Sequence, residues 1–314
     1  MSGPVAALLP DGRRLHLQHG PIDLVIGADA AAPGAVAAAY DAAVARFDTI
    51  LPVLVEELTL LRSPCPPEGL GLAGPVARRM EAAVLPFAAD RFVTPMAAVA
   101  GAVADEILAA MVVAAPLARA YVNDGGDIAL YLAPGTEFAL QIAALDRSEH
   151  GRVRIAAGSP VRGVATSGRG GRSFSLGIAD AVTVLAHTAA AADAAATLIA
   201  NAVDLPGHPA VERAPARALQ PDSDLGERLV TVACGPLAAD EIDAALERGL
   251  AEARRMQAAG LVAAAALFLQ GECRVTEGLA PPVPKASRPA LPRQDGHDTP
   301  DHDATLERTV AIHA

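Results

Sequence analysis

The 314-residue chain is close to one-quarter alanine, 73 residues, with no tryptophan and only 3% aromatic residues. Its 52% hydrophobic and 19% charged residues exclude disorder for most of the length and supply enough apolar material for one large domain or two modest ones. A net charge of −11, with Lys285 the only lysine, argues against broad affinity for nucleic acid or an anionic membrane, because phosphate backbones demand a basic face.

A core so poor in aromatic rings must pack through Ala, Val, Leu and Ile, so helices can lie close together. Cys65, Cys234 and Cys273 are odd in number and far apart, which suits a reducing compartment better than a disulfide framework, and they show no zinc spacing. No cationic segment followed by an apolar stretch opens the chain. The most apolar windows are residues 97–115, interrupted by Asp105 and Glu106, and residues 261–269, which are too short to span a bilayer. The expectation is a cytoplasmic protein without a nucleic-acid or membrane partner; homo-oligomerisation is left open.

In chain order, residues 14–18 and 22–26 read as a hairpin around His19-Gly20-Pro21. Residues 35–57 and 74–85 are helical by composition, with Pro52 breaking or kinking the first. Residues 97–113 form an Ala-rich helix whose start suits the preceding Pro95. Two strands, 118–122 and 128–132, flank the turn Asn123-Asp124-Gly125-Gly126-Asp127, where glycine supplies the positive backbone angles. Strands follow at 138–142, 152–155, 163–167 and 181–186, a helix at 189–203, a strand at 229–234, a helix at 238–259 and a buried strand at 261–270. Hairpins mixed with segregated long helices predict an α+β domain, antiparallel sheets packed by Ala-rich helices, over residues 1–278. From residue 279 to 314 six prolines, mixed charge and no aromatic residue read as a disordered tail with a short helical end at 304–312. The tail's His297, His302 and His313 read as solvated side chains.

Two segments stand out chemically. Residues 151–177 carry Arg152, Arg154, Arg162, Arg169 and Arg172 and no acidic residue. Their centre, Thr166-Ser167-Gly168-Arg169-Gly170-Gly171-Arg172-Ser173, offers close backbone approach, hydroxyls and guanidinium forks to an anion, or is simply an exposed glycine-rich loop. In the helix from 189, Asp193, Thr197 and Asn201 fall at i, i+4 and i+8 on one face. Such oxygens can share a hard cation such as Mg²⁺ that also holds substrate phosphates, or they can serve as caps and back-bonding groups. The turn at 123–127 is likewise either a turn alone or a ligand-facing edge. A Gly-x-Ser-x-Gly elbow, a Cys/His nucleophile and a His-Glu-x-x-His motif are all missing from the sequence.

Together, N-D-G-G-D-I at 123–128, T-S-G at 166–168 and A-D-A-A-A-T at 192–197 resemble the motifs of the ApbE-like superfamily of flavin transferases in type, order and spacing. T-P-M-A-A-V-A-G at 94–101 and S-F-S-L-G-I-A-D at 173–180 resemble its cytoplasmic UPF branch rather than the transferases proper. The resemblance covers roughly residues 14–271. It implies an α+β fold that binds FAD in a cleft with Mg²⁺ bridging the pyrophosphate. Asp193 and Thr197 then inherit the metal-ligand role. Asn123, Gly125, Gly126 and Asp127 become flavin contacts, and Thr166, Ser167, Gly168, Arg169 and Arg172 a pyrophosphate clamp. The histidine-containing segment that transferases carry after T-S-G is missing, since residues 169–180 hold neither histidine nor proline, and so is the lysine expected near Gly101. Asp180 is the one candidate base left there. The resemblance therefore implies a Mg²⁺-dependent protein acting on or binding a flavin nucleotide or similar phosphorylated small molecule, with a non-catalytic binder or partner protein as the alternative.

Overall fold

The computed structural model describes residues 3–143, 149–171, 173–279 and 309–313. Its strands are β1 (Val5–Leu8), β2 (Leu15–His19), β3 (Ile22–Asp29), β4 (Arg119–Asp124), β5 (Asp127–Leu132), β6 (Glu137–Ala143), β7 (Glu149–Ala156), β8 (Gly163–Ser167), β9 (Ala181–Ala186), β10 (Val211–Pro215), β11 (Leu229–Cys234), β12 (Ala264–Leu269), β13 (Glu272–Val275) and β14 (Thr309–His313). The helices are α1 (Ala35–Glu56), α2 (Leu58–Leu61), α3 (Pro75–Val84), α4 (Val99–Ala114), α5 (Ala189–Ala202), α6 (Ala216–Leu219) and α7 (Ala239–Ala258). The architecture is the α+β arrangement that the sequence predicts.

Nine strands form one antiparallel sheet in the order β1-β2-β3-β4-β5-β8-β9-β12-β13. Helices α1, α3, α4, α5 and α7 cover one face. On the other, β14, β6 and β7 make a three-stranded sheet. Separately β10 pairs with β11, with Val211 and Cys234 packed against the helix-side core. The alternation in β4 sorts its side chains between the two sides: Ala120 and Val122 join the helix-side core, while Tyr121 packs with Ile128, Phe138 and Leu140 under the small sheet. Asp124 shares the parity of Ala120 and Val122, so the sheet directs it toward the helices.

An alanine-lined helix layer gains little per side chain, about 1 kcal/mol for each buried methyl, so close backbone approach must add dispersion contacts. Two glycines set that approach. A Cβ on Gly101 would stand 2.3 Å from Ala189 O, and one on Gly163 would stand 2.0 Å from Thr188 O. Only glycine lets the first turns of α4 and α5 and the start of β8 meet there.

Several expectations change in detail. Pro52 lies inside an unbroken α1. The turn at 123–127 is two residues long, Gly125 at φ 63° and Gly126 at φ 118°, because Asp124 and Asp127 pair as the last rung of the β4–β5 ladder. A 3₁₀ turn, Pro95–Ala98, precedes α4. The continuous segment Pro95–Ala114 is long and apolar enough to cross a membrane by length and composition, yet Ala102, Val103, Ala104, Ile107 and Met111 are buried in the helix-side core. Strands β1, β10 and β13 lack a sequence signal of their own, being short and partnered at edges. Residues 309–313 form a strand parallel to β6 where a helical end was expected, because the edge of β6 offers ladder hydrogen bonds that a five-residue helix cannot match. The remainder of the predicted disordered tail, residues 280–308 and 314, lies outside the described residues.

Candidate functional site

The site grows from the crossing of α4 and α5. A helix leaves its first N–H groups without intrahelical partners. In α5 they are supplied in turn: Asp105 of α4 accepts from Ala189 N at 3.0 Å and Ala190 N at 2.9 Å, and the N-cap Thr188 hydroxyl accepts from Ala191 N at 3.1 Å. The favour is returned by Asp193, whose Oδ2 accepts from Gly101 N at 3.1 Å in the first turn of α4. Each helix thus holds the N-terminus of the other through an aspartate, and both carboxylates sit where the helix dipoles favour negative charge.

Burial still dominates the titration of Asp193. It pushes the carboxyl up to about 7, and the nearby Asp124 and Asp105 push in the same direction, while N–H groups of Gly101 and Ala100 oppose them. Asp105 is raised by burial as well, against the pull of the two α5 amides. Asp124 is 4% exposed. Asp124 and Asp105 thus both lie close enough to Asp193 to disfavour its ionised form.

On the sheet side, Asn123 Oδ1 accepts from Gly126 N at 2.8 Å, closing its own turn, and Asp127 Oδ1 accepts from Thr166 N at 3.3 Å. Thr166 shares a hydroxyl contact with Thr183 at 2.9 Å, whereas its neighbour Ser167 points toward α5, with its Oγ 3.4 Å from Thr197 Oγ1. The structure thus brings together Asp193, Thr197 and Ser167, all partly exposed, beside the start of α4. Asn201 leaves the predicted stripe: its Oδ1 accepts from Leu176 N at 2.9 Å.

The arginines are engaged separately. Arg162 donates to the carbonyls of Ala157, Ser159 and Val161, tying its own turn, and Arg154 pairs with Glu137 at 2.8 Å. Arg169 pairs with Asp180 Oδ1 at 2.5 Å, while Asp180 Oδ2 accepts from Gln270 N at 2.5 Å. Gly168 adopts φ 143°, and a Cβ there would stand 2.7 Å from Asp180 O, so T-S-G ends in a glycine for steric reasons. Arg172 lies outside the described residues.

Asp105 is a partner that sequence reasoning did not assign to the site, and Asp124, read there only as part of the 123–127 turn, points toward the helices and Asp193 instead. A signal existed for Asp105, a charge in the middle of an apolar helix, but that pattern names no partner. As for metal, no group of three or more His, Cys, Asp or Glu among the described residues could hold an ion. The donors on offer are one carboxylate and two hydroxyls. That set is too small for a dedicated cage, and it fits Mg²⁺ that completes its shell with water and ligand phosphates. A cation would also offset the repulsion that Asp124 and Asp105 exert on Asp193.

The family model described as AbpE bacteria matches residues 6–275, and the chain belongs to that family. UPF0280 protein MK0206 of Methanopyrus kandleri is 42% identical over 127 residues, 40% of this chain and 48% of that protein. A UPF0280 protein of Methanoculleus marisnigri is 41% identical over 117 residues, 37% of this chain and 48% of that protein. The matched stretch thus spans about half the length of these relatives. Among solved structures, the apo flavinyl transferase ApbE of Pseudomonas stutzeri aligns with a TM-score of 0.38 at 14% identity, over 87% of this chain and 94% of that one. The flavin transferase ApbE of Vibrio cholerae aligns with a TM-score of 0.36 at 13% identity, over 84% of this chain and 96% of that one.

Proposed function

We propose that this member of the AbpE family binds a flavin nucleotide or similar phosphorylated small molecule with Mg²⁺ at the junction of α5, the start of α4 and the end of β8, and is not itself an FAD:protein FMN transferase. The observation that carries this reading is the placement of Asp193 one turn before Thr197 on α5, with Thr197 Oγ1 3.4 Å from Ser167 Oγ at the end of β8. Asp193, Thr197 and Ser167 would hold the metal. When bound, Mg²⁺ would neutralise phosphate charge and fix the ligand's orientation. The chain's own contribution is to present these oxygens from rigid elements, with Asn123 to Asp127 and Thr166 to Gly168 forming the rim.

Engagement of Asp180 by Arg169 and by Gln270 favours the second reading, a binder that performs no transfer, over an enzyme with Asp180 as base. A cytoplasmic location, without nucleic acid or membrane as partner, belongs to the same proposal.

Calorimetry with ADP or FAD, with and without Mg²⁺, tests it. The wild type should bind Mg²⁺ weakly alone and more tightly with the diphosphate. Thr197→Val and Ser167→Ala, which leave the Asp193 cap intact, should weaken the joint binding severalfold, and Asp193→Ala should abolish it. Variants that titrate like wild type would make the stripe a capping device only.

A further inference from the structure

Strand β1 ends the nine-stranded sheet on one side, and among the described residues no strand pairs with its outer edge. All four of its residues, Val5-Ala6-Ala7-Leu8, are exposed, Val5 to 54% and Leu8 to 59%. Such an edge presents unpaired N–H and C=O groups to other chains, and proteins commonly blunt it with charge. The opposite end of the sheet follows that rule: β13 carries Glu272 and Arg274, and Arg274 is held by Asp243 of α7. Residues 4–10 contain no charged side chain at all.

The parity of the hydrogen bonds identifies the free groups. Leu9 N donates to Arg14 O at 2.8 Å, which extends the β1–β2 ladder by a bonded rung. Bonded and non-bonded pairs alternate along an antiparallel ladder, so Val5 and Ala7 turn their backbone groups toward Gln18 and His16 of β2, while Ala6 and Leu8 turn theirs outward. The next outward positions are Pro4 and Pro10, which have no N–H to leave unpaired. The edge thus offers two donors, with a proline stop on either side.

We propose that β1 docks on β1 of a second copy of this chain, the two strands pairing antiparallel so that two nine-stranded sheets become one. Charge selects this occupant. At −11 each, two copies repel over most of their surfaces, and the uncharged strip is where they can meet. A two-fold axis perpendicular to the sheet keeps both helix layers on one side. It also sets the 9–14 turn of each copy, with its Asp11–Arg14 ion pair, beyond the far end of the partner strand rather than opposite itself. Each copy has one such edge, so the contact closes at a dimer. A four-residue ladder buries less than the roughly 1,200 Å² at which stable interfaces begin, so the dimer is weak and forms at high protein concentration.

Sedimentation of the full chain from micromolar to near-millimolar concentration tests this. The mass should rise from one copy toward two, and added salt, which screens like charge, should strengthen the association. Ala6→Pro removes an outward donor without touching the β1–β2 ladder, and Ala7→Lys puts a charge on the strip; each should weaken association about tenfold or more, whereas Val232→Lys on β11 should not. A measurement without substitutions runs beside these. Amide exchange at Ala6 and Leu8 of the wild type should slow by about tenfold once nine-tenths of the chains are paired, with Ala7 unchanged. A single-copy mass at every concentration would overturn the proposal and leave the edge to a different partner. Dissociation by salt would overturn it too, since that marks a contact between opposite charges, and so would a dimer that survives both β1 variants or leaves the Ala6 and Leu8 amides unprotected.

Discussion

The reciprocal cap between α4 and α5 makes a quantitative statement about pH. Asp193 is raised from an ordinary value of 3.8 to about 7, so between those limits the folded protein retains a proton that the unfolded chain has released. The folded state therefore loses stability as pH climbs from about 4 to about 7, and the loss then levels off. At about 1.4 kcal/mol for each pH unit, the interval of roughly three units amounts to about 4 kcal/mol as an upper bound, reduced by relaxation and water penetration. Asp193→Asn keeps an oxygen for Gly101 N, removes the titration and presents an amide to its acidic neighbours. The assay is urea unfolding in chelator-containing buffer from pH 4.5 to 8. The variant and wild type should be similar at the acid end, and the variant should be the more stable by about 1–4 kcal/mol at pH 7.5. Parallel curves across the range, or a variant that loses ground as pH rises, would refute the assignment of strain to this carboxyl.

Gly101→Ala forces a Cβ to within 2.3 Å of Ala189 O, so the backbones must part; a cost of about 1–3 kcal/mol should lower the melting temperature by several degrees, and an unchanged melt would disprove the close crossing. The Glu81 carboxylate gathers the N–H groups of Leu70, Gly71 and Leu72. Glu81→Gln should cost about 1–2 kcal/mol in denaturant unfolding, and an unmoved midpoint would show that water replaces these bonds readily. Removing residues 280–314 deletes β14 but leaves β6 paired with β7, so the melting temperature should fall by only a few degrees; a collapse would show that the removed chain supports the core.

Most of the helices and inner strands were legible because periodicity and composition suffice for them: β8, β9 and β11 fall where their β-branched and alanine runs begin and end. Strands β1, β10 and β13 were not, since four- and five-residue edges gain their identity from a neighbour rather than from their own sequence. The site divides along the same line. The i, i+4 spacing of Asp193 and Thr197 is a property of one helix and could be read directly. Their junction with Ser167 depends on how α5 lies over β8, which no spacing within one helix can encode. The Asp105 and Asp193 exchange links residues 84 and 92 positions apart in sequence, and nothing local encodes it. The arginine cluster shows the converse. Five like charges in 21 residues suggested one anion site, whereas Arg154, Arg162 and Arg169 each have a partner of their own.

The surroundings of Asp180 carry the strongest statement about reaction chemistry. Transfer of FMN from FAD to a threonine hydroxyl needs a group to take the hydroxyl proton, and such assistance typically contributes about a hundredfold to ten-thousandfold in rate. Residues 169–180 contain no histidine, and Asp180 is their only carboxylate. One of its oxygens accepts from Arg169 and the other from the backbone of Gln270, itself held at φ 45° with its side chain bonded to Gly235 O and Leu237 N. Both oxygens are thus committed to partners that hold the β12–β13 turn, the opposite of a carboxylate free to approach a substrate hydroxyl. Incubating the protein with FAD, Mg²⁺ and a threonine-bearing acceptor should therefore give no covalent flavin on the acceptor, and Asp180→Asn should leave that outcome unchanged while lowering stability. A fluorescent flavin band on a denaturing gel that requires this protein and disappears with Asp193→Ala would overturn the argument, because it would show transfer chemistry supported by a group outside this segment.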